Sequence, residues 1–509
     1  MTDNNRAAIK KILPWAALTI YSALLLVLVL NHEYWFDEAQ AWNIARDNDI
    51  AGIFGMMKYE GHPPLWHLIL KIFTSLGCSW RALGLVSWGI MTLTAAIIIF
   101  CLPLEPYVQA ALLLSSGMLY TNSVISRVYC LIYLLLAVIA LLYPKRKKHP
   151  ILFGTAVALL ANTHVCMCGL VGIIGIFMLT DFFKDFRGGP RKQNALNALG
   201  LLIAGAGVVM LVLPLIGSLG ANYFASSKSF TAVGVMTSFI MSFSEITGSG
   251  ISPNLSAVGI ALSAAAQILL IAAVIFLRRK RRGLTMLLVF TAFYMVISGV
   301  IWYATPNRGS LFIFSLAMIW VMSREEEPVP AKERKAAPSS DLLRSLVSMF
   351  NKLDADAGKT LSVIFAAVLA LSVPSGLKYA AEDLLGEFDP SKAAAEYIRE
   401  NIPEDALLVS YGDDYAALMT YLPERKIFSV VYGRFYSYSS HEEPPEEYDE
   451  AAFREAAGDY SEVWLIAPVN EYDPDMIYSD SNAISLYLAG LDIGIFALPK
   501  DKFAAEFFR

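Results

Sequence analysis

Two adjacent carboxylates, Asp37 and Glu38, follow a long apolar run and the aromatic stretch His32-Glu33-Tyr34-Trp35-Phe36. Further along stand Lys58, Glu60 and His62, just ahead of Pro63-Pro64, then Arg127 with Tyr129, then His164, and late in the chain Arg308. A carboxylate of this kind can take a proton from an attacking hydroxyl, and fixed cations can stabilise a departing phosphate. Arginine suits the second task because its planar fork meets phosphate oxygens in pairs. Asp37 and Glu38 are therefore candidate catalytic groups, and Arg127, Tyr129, Arg308, His62, His164 and Lys58 candidate phosphate or substrate ligands.

Plainer roles stay open for each residue. Asp37 and Glu38 also suit the first turn of a helix running to Ala45, where acids oppose the exposed N–H groups. Glu60 and His62 could hold a divalent metal together with Asp37, although two ligands two residues apart are a weak signature. His164 could be a hydrogen-bonded loop tip, and helix-end arginines commonly reach for the interface.

The elements that must position these groups are membrane helices. Of 509 residues, 56% are hydrophobic and only 17% charged, against about 25% charged in soluble domains. Apolar runs recur from Leu13 to Pro374 at lengths near the ~20 residues a crossing helix needs. The first, Leu13 to Leu30, is too long for a signal-peptide core and reads as a retained helix. The net charge of −5 lends no support to a nucleic-acid partner. All five cysteines lie in or beside apolar segments, so no disulfide framework is expected, and Cys166-Met-Cys168 reads as packing.

Basic clusters at Arg6/Lys10/Lys11, Lys145–Lys148, Lys184–Lys192, Arg278–Arg282 and Arg324–Lys359 mark cytoplasmic loops under the positive-inside rule. They predict about eleven spans, at 13–30, 82–102, 106–124, 127–144, 150–165, 167–183, 194–217, 256–277, 284–303, 309–322 and 359–375. The segment 63–76 is short and carries His67 and Lys71. A crossing there would invert the later clusters, so it is expected at the outer interface. Residues 151–183 must form a hairpin with Asn162-Thr163-His164 at its tip. The N-terminus is then cytoplasmic, and the candidate residues, with the 218–255 loop carrying Lys228 and Glu245, share the outer face.

The expected domains are a transmembrane core at 1–323, a cytoplasmic linker at 324–358 with an amphipathic piece at Leu342–Leu353, and a last crossing at 359–375. An extracytoplasmic α/β domain follows at 376–509. Its expected elements are helices at Ser391–Asn401 and Asp413–Tyr421 and strands at Ala406–Ser410, Ile427–Val431 and Glu462–Ala467. No internal repeat is visible.

The segments Trp35-Phe36-Asp37-Glu38-Ala39, Tyr59-Glu60-Gly61-His62-Pro63-Pro64-Leu65, Arg127-Val128-Tyr129 and Asn307-Arg308 resemble motifs of the GT-C fold membrane glycosyltransferases. The bacterial branch related to protein O-mannosyltransferases and lipid A aminoarabinose transferases is the most similar. Val128 stands where that branch often has Pro, and Gly309 where it commonly has Tyr. The resemblance covers about residues 13–320. It implies a multi-pass protein of the cell membrane, with Asp37 as base. The enzyme would transfer a hexosyl or pentosyl group from a polyprenyl-phosphate donor to a hydroxyl on a glycan, lipid or protein, with inversion if the displacement is single. A flippase for lipid-linked glycans is the alternative, although its ionisable groups should sit at mid-membrane in broken, repeated helices. A membrane-anchored sensor working through the C-terminal domain is a third possibility.

Overall fold

A computed structural model describes residues 3–60, 62–186, 188–218, 257–300, 306–324, 357–440, 445, 448–458, 460–468, 476–480 and 493–498. Its first helix, α1 (Asp3–Asn31), is about 44 Å long at 1.5 Å per residue, enough to cross a ~30 Å hydrocarbon core. Tyr21, Leu25, Leu28 and Val29 are buried, while Ile12, Leu13, Ile20 and Val27 face outward. The outward face of α10 (Arg191–Ser218) is equally apolar, with Leu202 69% and Leu213 65% exposed. Helices that are apolar all round and still exposed require lipid as solvent.

Among the described residues five helices are long and apolar enough to cross: Lys11–Asn31, Ala82–Phe100, Val165–Phe186, Arg191–Leu213 and Gly358–Leu385. Other apolar helices, including Tyr129–Lys145, Pro150–Ala161 and Gly309–Arg324, are shorter. The expected span 106–124 is broken: α6 (Pro106–Leu114) stops at Ser115, whose backbone is extended, and a π-helical turn covers Gly117–Thr121. The break is made by neighbours. The Ser116 N–H donates to Ser372 Oγ at 3.2 Å, and Tyr21 Oη donates to the Met118 carbonyl at 2.7 Å. Gly376 packs so closely that a Cβ would lie 2.9 Å from Ser116 Cα. Non-helical backbone at this depth is tolerated where protein supplies its hydrogen bonds.

The expected hairpin is present. It consists of α8 (Pro150–Ala161), the turn 162–164 with a 3-10 turn at Val165–Met167, and α9 (Cys168–Phe186). At Gly154 and Gly200, helices α8 and α10 approach until a Cβ on Gly154 would meet the Gly200 carbonyl oxygen at 2.1 Å. Small residues that let backbones touch are a standard adhesive between membrane helices. Where α8 begins, Arg146 Nε donates to Asp181 Oδ2 at 3.0 Å and Arg282 also pairs with Asp181. Two of the basic clusters thus meet at one end, and α8 leads from there to His164.

Two short helices, α2 (Phe36–Asp47) and α3 (Ile50–Glu60), and then α4 (Leu65–Ser75) follow α1. At about 16 Å, α4 is too short to cross. α5 (Ala82–Phe100) and α7 (Tyr129–Leu142) belong to the bundle.

The helix Val373–Leu385 continues past residue 375, so the last apolar segment is longer than expected. Beyond it lies a six-stranded sheet ordered β3-β2-β1-β4-β6-β5, built from β1 (Ala406–Ser410), β2 (Ile427–Ser429), β3 (Arg434–Tyr436), β4 (Glu462–Pro468), β5 (Met476–Asp480) and β6 (Ile493–Leu498). β1 runs parallel to β2 and β4, and the remaining pairings are antiparallel. All five β1 residues are buried, as a central parallel strand requires. Leu407 and Val409 join one hydrophobic cluster with Phe453, while Ala406 and Leu408 join the cluster continuous with the bundle.

Residues 219–255 of the expected 218–255 loop and the linker from 325 to 356, including Leu342–Leu353, lie outside the described residues.

Candidate functional site

The site is built on α2, which lies between the bundle and the α/β domain. Asn43, fully buried, donates to the carbonyls of Ala416 and Ser437 at 2.8 and 2.7 Å and accepts from Thr420 Oγ1 at 3.0 Å. Gln40 donates to the Ser439 carbonyl at 2.8 Å and to Glu60 Oε1 at 2.9 Å. These bonds fix the rotation of α2 and with it the direction of the two acids in its first turn.

The two acids part company. Asp37 stays about one-third exposed, and its Oδ2 accepts from Arg127 Nη1 at 2.5 Å. Glu38 is fully buried. Its Oε1 accepts the Ser126 N–H at 2.5 Å, and its Oε2 lies 2.9 Å from His32 Nε2. The other ring nitrogen of His32 lies 2.9 Å from Asp383 Oδ2. Burial alone would lower the His32 pKa, but Asp383 and Glu38 outweigh it and raise it well above the usual value. Glu38, expected beside Asp37 as a catalytic group, is thus a buried link between the first helix, the Arg127 loop and the helix carrying Asp383.

A cleft of about 330 Å³ opens beside the Asp37–Arg127 pair, lined also by Ala41, Glu60, His62, Pro63, Trp66, His67 and Val128. The Arg127 guanidinium lies 5.6 Å from the Tyr129 ring centroid and 6.0 Å from that of Trp35, a cation–π distance. The His164 ring lies 5.5 Å from Tyr129 and 5.0 Å from His62. Its Nδ1 accepts the Cys166 N–H at 3.1 Å, which assigns the neutral ring's proton to Nε2. Distant parts of the chain, among them Asp37, Glu60, His62, Arg127, Tyr129 and His164, therefore meet in one region.

The other expected residues stand differently. Lys58 is exposed on α3 with its ammonium 4.3 Å from the Tyr59 ring, and it does not line the cleft. The side chain of Arg308 lies outside the described residues. Glu60 and His62 both line the cleft, yet no group of three or more His, Cys, Asp or Glu residues able to hold a metal occurs among the described residues.

His67 and Trp66 carry no motif of their own in the sequence, and the fold brings them to the cleft. A second cleft of about 340 Å³ surrounds Arg146, Lys147, Asp181 and Asp185 at the far end of α8. Its charges are largely paired with one another.

Fold and site define a polytopic helical membrane protein with a mixed α/β domain packed against α2, the helix that carries Asp37 to the cleft. No protein-family model and no curated protein matches the chain. Among solved structures it is similar to ArnT from Cupriavidus metallidurans in the apo state, at 12% identity and a TM-score of 0.49, covering 96% of this chain and 98% of that one. It is also similar to the same protein bound to undecaprenyl phosphate, at 12% identity and a TM-score of 0.48, covering 95% and 98%.

Proposed function

We propose that the chain is an integral-membrane glycosyltransferase of the GT-C type that moves a sugar from a polyprenyl-phosphate donor to an acceptor hydroxyl. The observation that carries the reading is the Asp37–Arg127 pair, 2.5 Å apart at the wall of a polar cleft in an apolar bundle. The carboxylate is suited to taking the acceptor's proton and the guanidinium to stabilising the leaving phosphate.

In that displacement the acceptor oxygen forms a bond to the anomeric carbon as Asp37 takes its proton, and the bond from that carbon to the phosphate oxygen breaks. The electron pair leaves with the phosphate, whose charge Arg127 stabilises. One such step inverts the anomeric configuration. Asp37 Oδ1 makes no hydrogen bond among the described residues, which supports it as the oxygen that accepts the proton. The Tyr129 ring packs beside the Arg127 guanidinium, and the His164 ring packs against Tyr129. The basic clusters gathered around Asp181 support a cytoplasmic end there, with the cleft on the outer face.

The test is incubation of purified full-length protein with a panel of radiolabelled polyprenyl-phosphate sugars. Release or transfer of sugar from at least one lipid is expected. Transport of carrier lipid across vesicles with no loss of sugar from any donor would overturn the proposal in favour of a flippase.

A further inference from the structure

The cleft contains an imidazole that the displacement above does not use. His67 stands in the first turn of α4, is only 3% exposed, and lines the cleft with Asp37, Glu60 and Arg127. Neither its Nδ1 nor its Nε2 has a hydrogen-bond partner among the described residues, and the same holds for Nε1 of Trp66 beside it. A buried polar atom left unsatisfied costs about 1–3 kcal/mol. His67 and Trp66 both line the cleft, and a fold that leaves three of their polar atoms unpaired carries a sizeable penalty unless something entering the cleft pairs with them.

We infer that His67 is a specificity-determining residue that recognises hydroxyl groups on the donor's sugar ring. The inference rests on the glycosyltransfer reading, and the chemistry of the side chain narrows it. Burial lowers the His67 pKa; Glu60 opposes that and Arg127 adds to it, so the ring is neutral. A neutral imidazole offers one N–H donor and one lone pair, the complement of hydroxyls, which both donate and accept. A phosphate offers acceptors only and is better served by Arg127. Since the sugar is bonded directly to the phosphate, a phosphate held by Arg127 brings the ring to the wall where His67 and Trp66 stand. Trp66 adds a donor and an apolar face suited to a sugar's C–H surface.

The two roles separate in a binding experiment on full-length protein in nanodiscs of phosphatidylethanolamine and phosphatidylglycerol. The probes are undecaprenyl phosphate and its mannose, galactose and 4-amino-4-deoxyarabinose conjugates. His67→Leu should weaken the best-bound conjugate about tenfold or more, as one to two lost hydrogen bonds predict. It should leave bare undecaprenyl phosphate within about twofold, and His67→Gln, which keeps a donor and an acceptor, should recover most of the loss. The Tm of His67→Leu should be unchanged or raised, because an unsatisfied polar ring has been replaced by an apolar side chain of similar size. Equal weakening of bare lipid and conjugates, or no weakening of either, overturns the role of His67 while leaving glycosyl transfer standing. Wild-type protein that binds neither bare lipid nor conjugate overturns the glycosyltransfer reading and this inference with it.

Discussion

Glu38 accepts the backbone N–H of Ser126 at 2.5 Å, one residue before Arg127, and so ties the first turn of α2 to the loop that carries the site's arginine. Neighbouring acids thereby divide the work: Asp37 meets the cleft and Glu38 sets the position of its partner.

Glu38→Ala should therefore be far more damaging than its distance from solvent suggests. It leaves the Ser126 N–H and His32 Nε2 without their partner, and breaking a buried charged pair costs about 3–5 kcal/mol. Glu38→Gln keeps an acceptor for Ser126 and should lose less. Thermal unfolding in detergent should rank wild type above Gln above Ala; equal Tm values would remove the linking role.

His32 gives the same network a pH dependence. Its folded pKa is raised by Asp383 and Glu38 against the effect of burial. Its contribution is fully present below the unfolded value near 6.5 and is lost as pH rises through the folded value. The Tm gap between wild type and His32→Gln should be widest at or below pH 6.5 and shrink in alkaline buffer. A gap that does not change between pH 6 and 9.5 contradicts this.

Asp389, at the entry to the α/β domain, has the opposite consequence at neutral pH. Burial raises its pKa to about 6; hydrogen bonds from Ser391 oppose the rise, and nearby Glu33 and Glu38 add to it. Its favourable contribution is present below about 3.9 and lost as pH rises through about 6, so at neutral pH its charge opposes folding. Asp389→Asn, which can still accept the Ser391 N–H, should stabilise by on the order of 1–3 kcal/mol at pH 7.5 and much less at pH 4.5. Unfolding midpoints at the two pH values check it.

The contact between α8 and α10 predicts a contrast between glycines. Gly154→Ala forces a methyl group onto the Gly200 carbonyl and should cost about 1–3 kcal/mol. Gly172→Ala on α9 meets nothing within 4 Å and should be neutral or slightly stabilising. Similar losses at both positions would show that the close approach does not govern packing.

Much of this was legible in the residues and some of it could not be. Apolar length announced α1, α5, α9 and α10, and basic clusters on both sides of 151–183 required the hairpin. The break after Leu114 had no signal in its own segment, because it is made by Ser372 and Gly376 far along the chain. The edge strands β3 and β5 and the antiparallel β6 are too short or too weakly patterned to announce themselves. In the site, residue types pointed to Asp37 and Arg127, and folding pairs them across ninety positions. What the types hid was that Glu38 turns inward. Successive helix residues point about 100° apart, so adjacent acids face different surroundings. His67 stands in no motif of its own, and only its burial beside the cleft makes it chemically interesting.

The most direct test of the proposed displacement is the sugar-transfer rate of Asp37→Asn with the best donor lipid. The variant keeps the size of the side chain, and the lost ion pair is partly exposed, so folding should suffer by only about 1 kcal/mol or less. Transfer should fall about 10²–10⁴-fold, as loss of a general base predicts, with donor binding and Tm nearly unchanged. An Asp37→Asn protein that transfers sugar at the wild-type rate would contradict the assignment of Asp37 as base.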